Sequence, residues 1–266
     1  MTTLSIQNVR VRYGRREVIP GLNIAALQPG EVTALLGPNG CGKTTLLKAV
    51  AGLVRCDGKV VFDGQTFGYG DFAARARHIA YLPQTLPPTV HLRVFESILV
   101  ARQATAVGLA RGGDHAEVLQ VLDRLAIGHL AMRYLSELSG GQRQLVGIAQ
   151  ALVRAPKVLL LDEPLSALDL NHQFQVMDLL RQETRARGMV TVIVLHDLNV
   201  ALRHTDRALL LKEGRLVAEG RPDAVINAAT LAEVYGVRGR VEPCSQGYSQ
   251  IMVDGLEPAH DLAARR

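Results

Sequence analysis

Gly37-Pro38-Asn39-Gly40-Cys41-Gly42-Lys43-Thr44 decides the fold because of what stands on either side of it. The apolar run Val32–Leu36 precedes it and reads as a buried strand. Beyond it, over residues 43–51, Leu46, Leu47 and Val50 recur at helical spacing until Gly52 stops them. The eight residues fill the pattern GxxxxGK followed by Ser or Thr, and they do so between a strand and a helix, as that pattern requires. Its glycines let successive backbone N–H groups turn inward around a phosphate, and the helix N-terminus adds a partial positive charge. In this reading Lys43 reaches the outer phosphates and Thr44 offers its hydroxyl to Mg²⁺.

Outward from this loop the pattern is that of an α/β protein. Upstream, Leu4 and Ile6, then Val9, Val11 and Tyr13, then residues 24–27 read as strands. Downstream, a hairpin-like section at residues 60–64 leads to a strand at Ile79–Leu82. Residues 83–138 change from strand to helical periodicity, with helices expected at 94–102 and 115–125 around a glycine-rich gap at 108–113. Alternation then resumes: helix 141–152, strand Val158–Leu161, helix Leu170–Arg187, strand 190–195, helix Leu198–His204, strand 208–211. Strands alternating with helices imply a mainly parallel sheet covered on both faces. From Gly220 the tail shows two short helical pieces and a strand-like stretch at 250–253, and the mixed composition of 237–266 suggests no role.

Two further stretches carry chemistry. Val158–Leu161 is an apolar strand ending in Asp162 and Glu163. Asp162 at the strand tip can hold Mg²⁺ beside a phosphate loop, and Glu163, one residue beyond, can accept a proton from an attacking water. Ser139 and Gln142 stand at capping-box spacing before a long apolar helix. The plain reading is a helix cap. Gly140 and Gly141 behind it, however, would let an anion approach the helix amides, and a second anion site suggests half-sites completed between two chains.

Composition narrows the classes. The chain has 266 residues, 48% apolar and 21% charged, within the globular range, and its apolar runs are far shorter than a membrane span of about 18 residues. Residues 1–16 read as a polar alternating segment rather than a secretory leader, which favours the cytoplasm. Cys41, Cys56 and Cys244 form no CxxC pair, so reduced thiols are expected, and the eight histidines show no zinc-like spacing. The net charge of +5 points to acidic partners in general, but no basic block occurs, and the absence of Trp leaves few stacking platforms for nucleic acid, which is not expected as a partner.

Taken together, these motifs resemble the ATP-binding subunit of ABC transporters over residues 4–236. Leu138-Ser139-Gly140-Gly141-Gln142 is similar to the LSGGQ signature, Gln84 to the Q-loop glutamine, Ser166-Ala167-Leu168-Asp169 to the D-loop and His196 to the switch histidine. Tyr13 stands where the family places an aromatic on the adenine. The resemblance implies a P-loop NTPase core with a mainly parallel sheet, an N-terminal antiparallel β part and an inserted α-helical subdomain at about 84–140, followed by a tail at 237–266. It also implies that two copies pair head to tail. The phosphate-loop residues and Thr45 of one copy and Ser139 to Gln142 of the other would sandwich each ATP, with Mg²⁺ held by Thr44, Gln84 and Asp162. Glu163, His196 and Gln84 become the catalytic set, with Gln84 at the metal and attacking water and His196 at the γ-phosphate. A polytopic membrane permease served by an external substrate-binding protein is the implied partner, and the cytoplasmic face of the membrane the implied location.

Finer resemblance lies in Ala167-Leu168-Asp169-Leu170-Asn171-His172-Gln173, His196-Asp197-Leu198-Asn199 and Leu231-Ala232-Glu233-Val234-Tyr235-Gly236-Val237, which are similar to importer ATPases for iron-siderophores, haem and cobalamin. Three positions depart from the usual pattern: Cys41 and Thr44 replace common serines, and Leu165 stands where a small or hydroxylated residue is frequent. Thr44 keeps the hydroxyl and Cys41 is expected to contribute its backbone amide. The alternatives are a soluble ABC-type ATPase acting on ribosomes or nucleic acid, where tandem cassettes or a coiled-coil insertion would be expected, and a P-loop kinase or GTPase, which leaves Ser139 to Gln142 and His196 without a role.

Overall fold

The computed structural model describes residues 3–68, 70–86, 91–104 and 114–257. Two long strands, β1 (Leu4–Tyr13) and β2 (Arg16–Leu27), open it, followed by β3 (Val32–Leu36), α1 (Lys43–Val50), β4 (Asp57–Phe62), β5 (Gln65–Phe67), α2 (Phe72–Ala76) and β6 (Ile79–Leu82). Helices α3 (Val94–Gln103), α4 (Asp114–Arg124) and α5 (Gly140–Val153) come next. Then β7 (Val158–Leu161), α6 (Leu170–Arg187), β8 (Val190–Val194), α7 (Leu198–His204), β9 (Arg207–Lys212) and β10 (Arg215–Gly220) alternate. After two short helical pieces and a π-helical turn, Leu231–Tyr235, the hairpin β11 (Val237–Pro243) and β12 (Ser249–Leu256) closes the described chain.

The central sheet has the order β10-β9-β3-β8-β7-β6, and all its neighbours are parallel except β9 and β10. Its inner strands are continuous apolar runs because both faces are covered. The period of two sends alternate residues into two cores. Val32, Ala34, Leu36, Leu159 and Leu161 face the core shared with α3 to α7, while Leu35, Leu160 and Val192 face α1 and the antiparallel sheet β2-β1-β4-β5. Leu159, Leu160 and Leu161 have no exposed surface, and burying each contributes about 1.5–3 kcal/mol. This packing fixes the C-terminal tips of β3, β7 and β8 side by side, where the phosphate loop, Asp162 and His196 emerge.

Several expectations need adjusting. β2 starts at Arg16 rather than at residue 24, because Pro20 and Gly21 sit within a sheet-edge strand, where a missing donor is tolerated. α2, β10 and β11 were not anticipated. β11 alternates half-buried Val237, Gly239 and Val241 with exposed arginines and Glu242, a pattern too polar to stand out. The segment at 237–257 is thus an ordered hairpin. The glycine-rich gap at 108–113 lies outside the described residues, as do residues 258–266. No helix among the described residues is long and apolar enough to cross a membrane.

Candidate active site

The phosphate loop owes its shape to Gly37 and Gly42. Gly37 sits at φ 140°, and a Cβ there would lie 2.2 Å from the Leu211 carbonyl oxygen, so no other residue fits between β3 and β9. Gly42 is the N-cap of α1 at φ 105°; no side chain caps this helix and no acid lies in its first turn. Its leading amides have no internal anion to compete with an incoming phosphate. The Cys41 carbonyl accepts from the Gly214 amide at 2.8 Å, and its thiol is buried, which pushes its pKa up. The Cys41 amide donates to the Pro38 carbonyl at 3.3 Å within the loop. Lys43 is 5% exposed, and its Nζ donates to the carbonyls of Gly37 (2.7 Å) and Pro38 (3.0 Å), with the Cys41 sulfur at 4.0 Å.

Beside the loop is a cleft of ≈ 360 Å³ lined by Tyr13, Arg16, Val18, Asn39, Gly40, Gly42, Lys43, Thr44, Thr45 and Glu163. Tyr13 ends β1 half-exposed at the cleft wall and pairs across the β1–β2 turn with Arg16. The Gly40 side of the loop is open, with nothing within 4 Å of where a Cβ would stand.

Asp162 follows β7 and is wholly buried. Its Oδ1 accepts from the Thr44 hydroxyl and its Oδ2 from the Tyr81 hydroxyl, both at 3.1 Å. Burial pushes its pKa up, the two hydroxyl donors pull it down, and the adjacent Glu163 adds a further upward push. Burial and the Asp162 carboxylate likewise push the Tyr81 phenol up. A carboxylate and a hydroxyl meeting at the end of a phosphate loop form the hard oxygen set that Mg²⁺ prefers when it is shared with substrate phosphates.

Glu163 stands in the left-handed region at φ 52°. That turn aims its carboxylate across the sheet edge at two other candidate residues. Oε2 accepts from Gln84 Nε2 at 2.5 Å, and Oε1 lies 2.6 Å from His196 Nε2. Ser166 braces the turn from below, its hydroxyl donating to the Glu163 carbonyl at 3.1 Å. Gln84, Glu163 and His196, read from separate parts of the sequence, therefore meet at one point. Such a cluster can hold a water for in-line attack and take its proton.

Ser139 to Gln142 are not among the residues lining this cleft. They cap α5 by a reciprocal box, with the Gln142 amide donating to Ser139 Oγ at 3.2 Å and the Ser139 amide to Gln142 Oε1 at 3.0 Å. Gly141 packs on the Ser166–Asp169 loop, where a Cβ would come within 2.8 Å of the Ala167 carbonyl oxygen. Gln173 spans the same loop, donating to the carbonyls of Leu165 (3.2 Å) and Leu168 (3.0 Å).

The sequence reading missed Tyr81 and Arg16. Tyr81 is the one polar side chain in β6, and a phenol in a strand beside β7 must find a partner for its hydroxyl, which is the clue that could have found it. Arg16 carries no such mark beyond following Tyr13 across a glycine turn.

The sequence model of the family described as ABC transporter matches residues 24–166, just over half of the chain. The chain belongs to the ABC transporter family. Among its relatives, an uncharacterised ABC transporter ATP-binding protein of Methanocaldococcus jannaschii is 35% identical over 90% of this chain and 93% of its own length. The hemin import ATP-binding protein HmuV of Hahella chejuensis is 40% identical over 82% and 86%, and the achromobactin transport ATP-binding protein CbrD of Dickeya dadantii 36% over 91% of each. In structure, an ATP-binding cassette of an ABC transporter in its ADP conformation superposes with a TM-score of 0.76 at 26% identity, covering 88% of this chain and 97% of that one. As a cassette subunit of this family the chain binds ATP and is an ATPase coupled to transport.

Proposed function

We propose that this chain energises an importer of an iron-chelate, haem or cobalamin-type substrate, working from the cytoplasmic face of the membrane on a polytopic permease served by an external binding protein. Relatives named for hemin import and achromobactin transport, matched over most of both chains, support the cargo class. The observation that carries the reaction is the cluster at Glu163, whose two carboxylate oxygens are engaged by Gln84 and His196 at 2.5 and 2.6 Å.

In this reading Tyr13 stacks on the adenine at the cleft wall, and the amides of residues 39–45 surround the β- and γ-phosphates. Lys43 exchanges its weak contact with the Cys41 sulfur for a phosphate oxygen while the Gly37 and Pro38 carbonyls hold its other two donors. Thr44, Asp162 and Gln84 hold Mg²⁺, which supplies neutralisation of charge on the phosphate oxygens. Glu163 takes the proton of the attacking water, Gln84 orients that water, and His196 leaves Glu163 for the γ-phosphate. Ser139 to Gln142 lie outside their own chain's cleft, which favours a head-to-tail pair in which each copy's α5 N-terminus closes the other's site.

The test is recovery of tagged Glu163→Gln protein from detergent-solubilised native membranes, followed by uptake assays of the wild type with ferric siderophores, haem and cobalamin. A stoichiometric polytopic partner and energy-dependent uptake of one of these cargoes are the expected results. Recovery of ribosomal proteins or nucleic acid in place of a permease would overturn the importer reading.

A further inference from the structure

Two of the motifs that set this sequence apart, the Asp197-Leu198-Asn199 segment that follows His196 and the Leu231 to Val237 stretch, supply no residue that lines the cleft. The structure gives them a common one. Helix α7 begins two residues after His196 and has only seven residues, too few to hold its own first turn. The His196 side chain is 46% exposed, so core packing does not fix it; its contact with Glu163 at 2.6 Å depends on where the turn before α7 holds its backbone. That turn is tied at two points. Asp197 Oδ1 accepts from the amides of Asn199 (2.8 Å) and Val200 (3.2 Å), an ordinary N-cap. The Asn199 side chain makes the second tie, its Oδ1 accepting from the Ile251 amide of β12 at 2.8 Å, across 52 residues.

The hairpin that supplies this amide is itself anchored. At its root, Leu231 and Val234 are buried in the main core. The half-buried Tyr235 phenol faces the Gly37 amide and the Cys41 thiol of the phosphate loop, and Lys212 Nζ donates to the Glu233 carbonyl at 2.6 Å. At its tip, the Arg203 guanidinium of α7 lies between two rings, 4.5 Å from the centroid of Tyr248 and 5.0 Å from that of Phe174 on α6. Ile251 is thus a fixed reference point, tied at one end to the back of the phosphate loop and at the other to α6 and α7.

We propose that the C-terminal hairpin is a brace for the switch histidine, with Asn199 as the positioning residue that transmits it. The hairpin holds the first turn of α7, and through it His196, in register with Glu163 and the phosphate loop. This rests on His196 acting in turnover at the γ-phosphate, so freeing the turn lowers kcat and leaves ATP binding, which the loop and Tyr13 supply, unchanged.

The experiment compares full-length wild type, Asn199→Leu, Asn199→Asp, Tyr248→Ala and His196→Ala by steady-state ATP hydrolysis, ATP calorimetry and hydrogen exchange of the amides of residues 198–201 and 251. Asn199→Asp keeps an acceptor oxygen and is expected to stay near wild type. Asn199→Leu is expected to lower kcat by about 10-fold, with ATP affinity within about 2-fold and faster exchange at residues 198–201 and 251. Tyr248→Ala, which loosens the exposed tip without touching α7's first turn, should move kcat in the same direction. Wild-type kcat in Asn199→Leu alongside a crippled His196→Ala overturns the brace while leaving the site reading intact. Full turnover in His196→Ala overturns both. Equal loss of kcat and ATP affinity in Asn199→Leu and Asn199→Asp also overturns it, because a merely structural role would not be rescued by the retained oxygen.

Discussion

Glu163 adopts φ 52° in a position where no glycine relieves it, at a cost of about 1–3 kcal/mol, and the return is the placement of one carboxylate between Gln84 and His196. Glu163→Gln keeps the shape and removes the base. ATP binding should persist while turnover falls 100-fold or more, about 3 kcal/mol of barrier. Near-normal hydrolysis by that variant in a phosphate-release assay would remove Glu163 from the role. Its neighbour Asp162 differs, being wholly buried with its pKa raised mainly by that burial. A carboxyl whose pKa is higher folded than unfolded costs nothing below its unfolded value. Its cost then grows as pH rises through the folded value, because the charged form is the one the fold disfavours. Asp162→Asn should therefore raise the melting temperature at neutral pH, by about 2–4 °C per kcal/mol recovered, with the gain shrinking in acid and metal-dependent hydrolysis lost. A lower melting temperature at neutral pH would mean that the Thr44 and Tyr81 hydrogen bonds outweigh the burial.

At the scale of elements, the N-terminus of α5 does two jobs with one cap. Ser139 and Gln142 satisfy each other's amides, a box whose loss by Ser139→Ala costs about 1 kcal/mol, and Gly141 lets the Ser166–Asp169 loop close against the helix. Ser139→Arg places a long cation where a second copy's phosphates would arrive. Monomer ATP binding should survive and ATP-dependent dimerisation should fail, and dimers persisting in sizing experiments with Glu163→Gln as background would count against the shared site. This scale also shows how far the sequence reading reached. The phosphate loop, the apolar run Val158–Leu161 and the α5 cap were legible because each follows from local chemistry: positive-φ glycines, a strand buried on both faces, a capping spacing. The meeting of Gln84, Glu163 and His196 followed only from the resemblance, because 79 residues separate the first two and nothing local implies contact. Tyr81, Arg16 and β11 with the contacts of the strand read at 250–253 stayed hidden because their value lies in partners: a hydroxyl for Asp162, a wall for the cleft, an amide for Asn199.

At the scale of the molecule, three of the helices on the far side of the sheet from α1, namely α4, α5 and α6, are pinned together at one carboxylate. Glu183 of α6 has an 8% exposed side chain that meets Arg124 of α4 through Oε1 and Arg187 through Oε2 at 2.7 Å, and Arg187 also donates to the Leu152 carbonyl of α5 at 3.0 Å. Any movement of α4 relative to α5 and α6 would have to strain this joint. Glu183→Gln leaves two guanidiniums side by side with no countercharge between them. Breaking a fully buried pair costs about 3–5 kcal/mol; because Arg124 is 45% exposed, the expected loss is smaller, about 1–2 kcal/mol in urea melts. Arg124→Ala should remove part of the same energy, so the double variant should lose less than the sum of the two singles by at least about 0.5 kcal/mol. Additive losses would show that α4 and α6 are held by apolar packing alone, leaving the ion pair without a part in coupling the two layers.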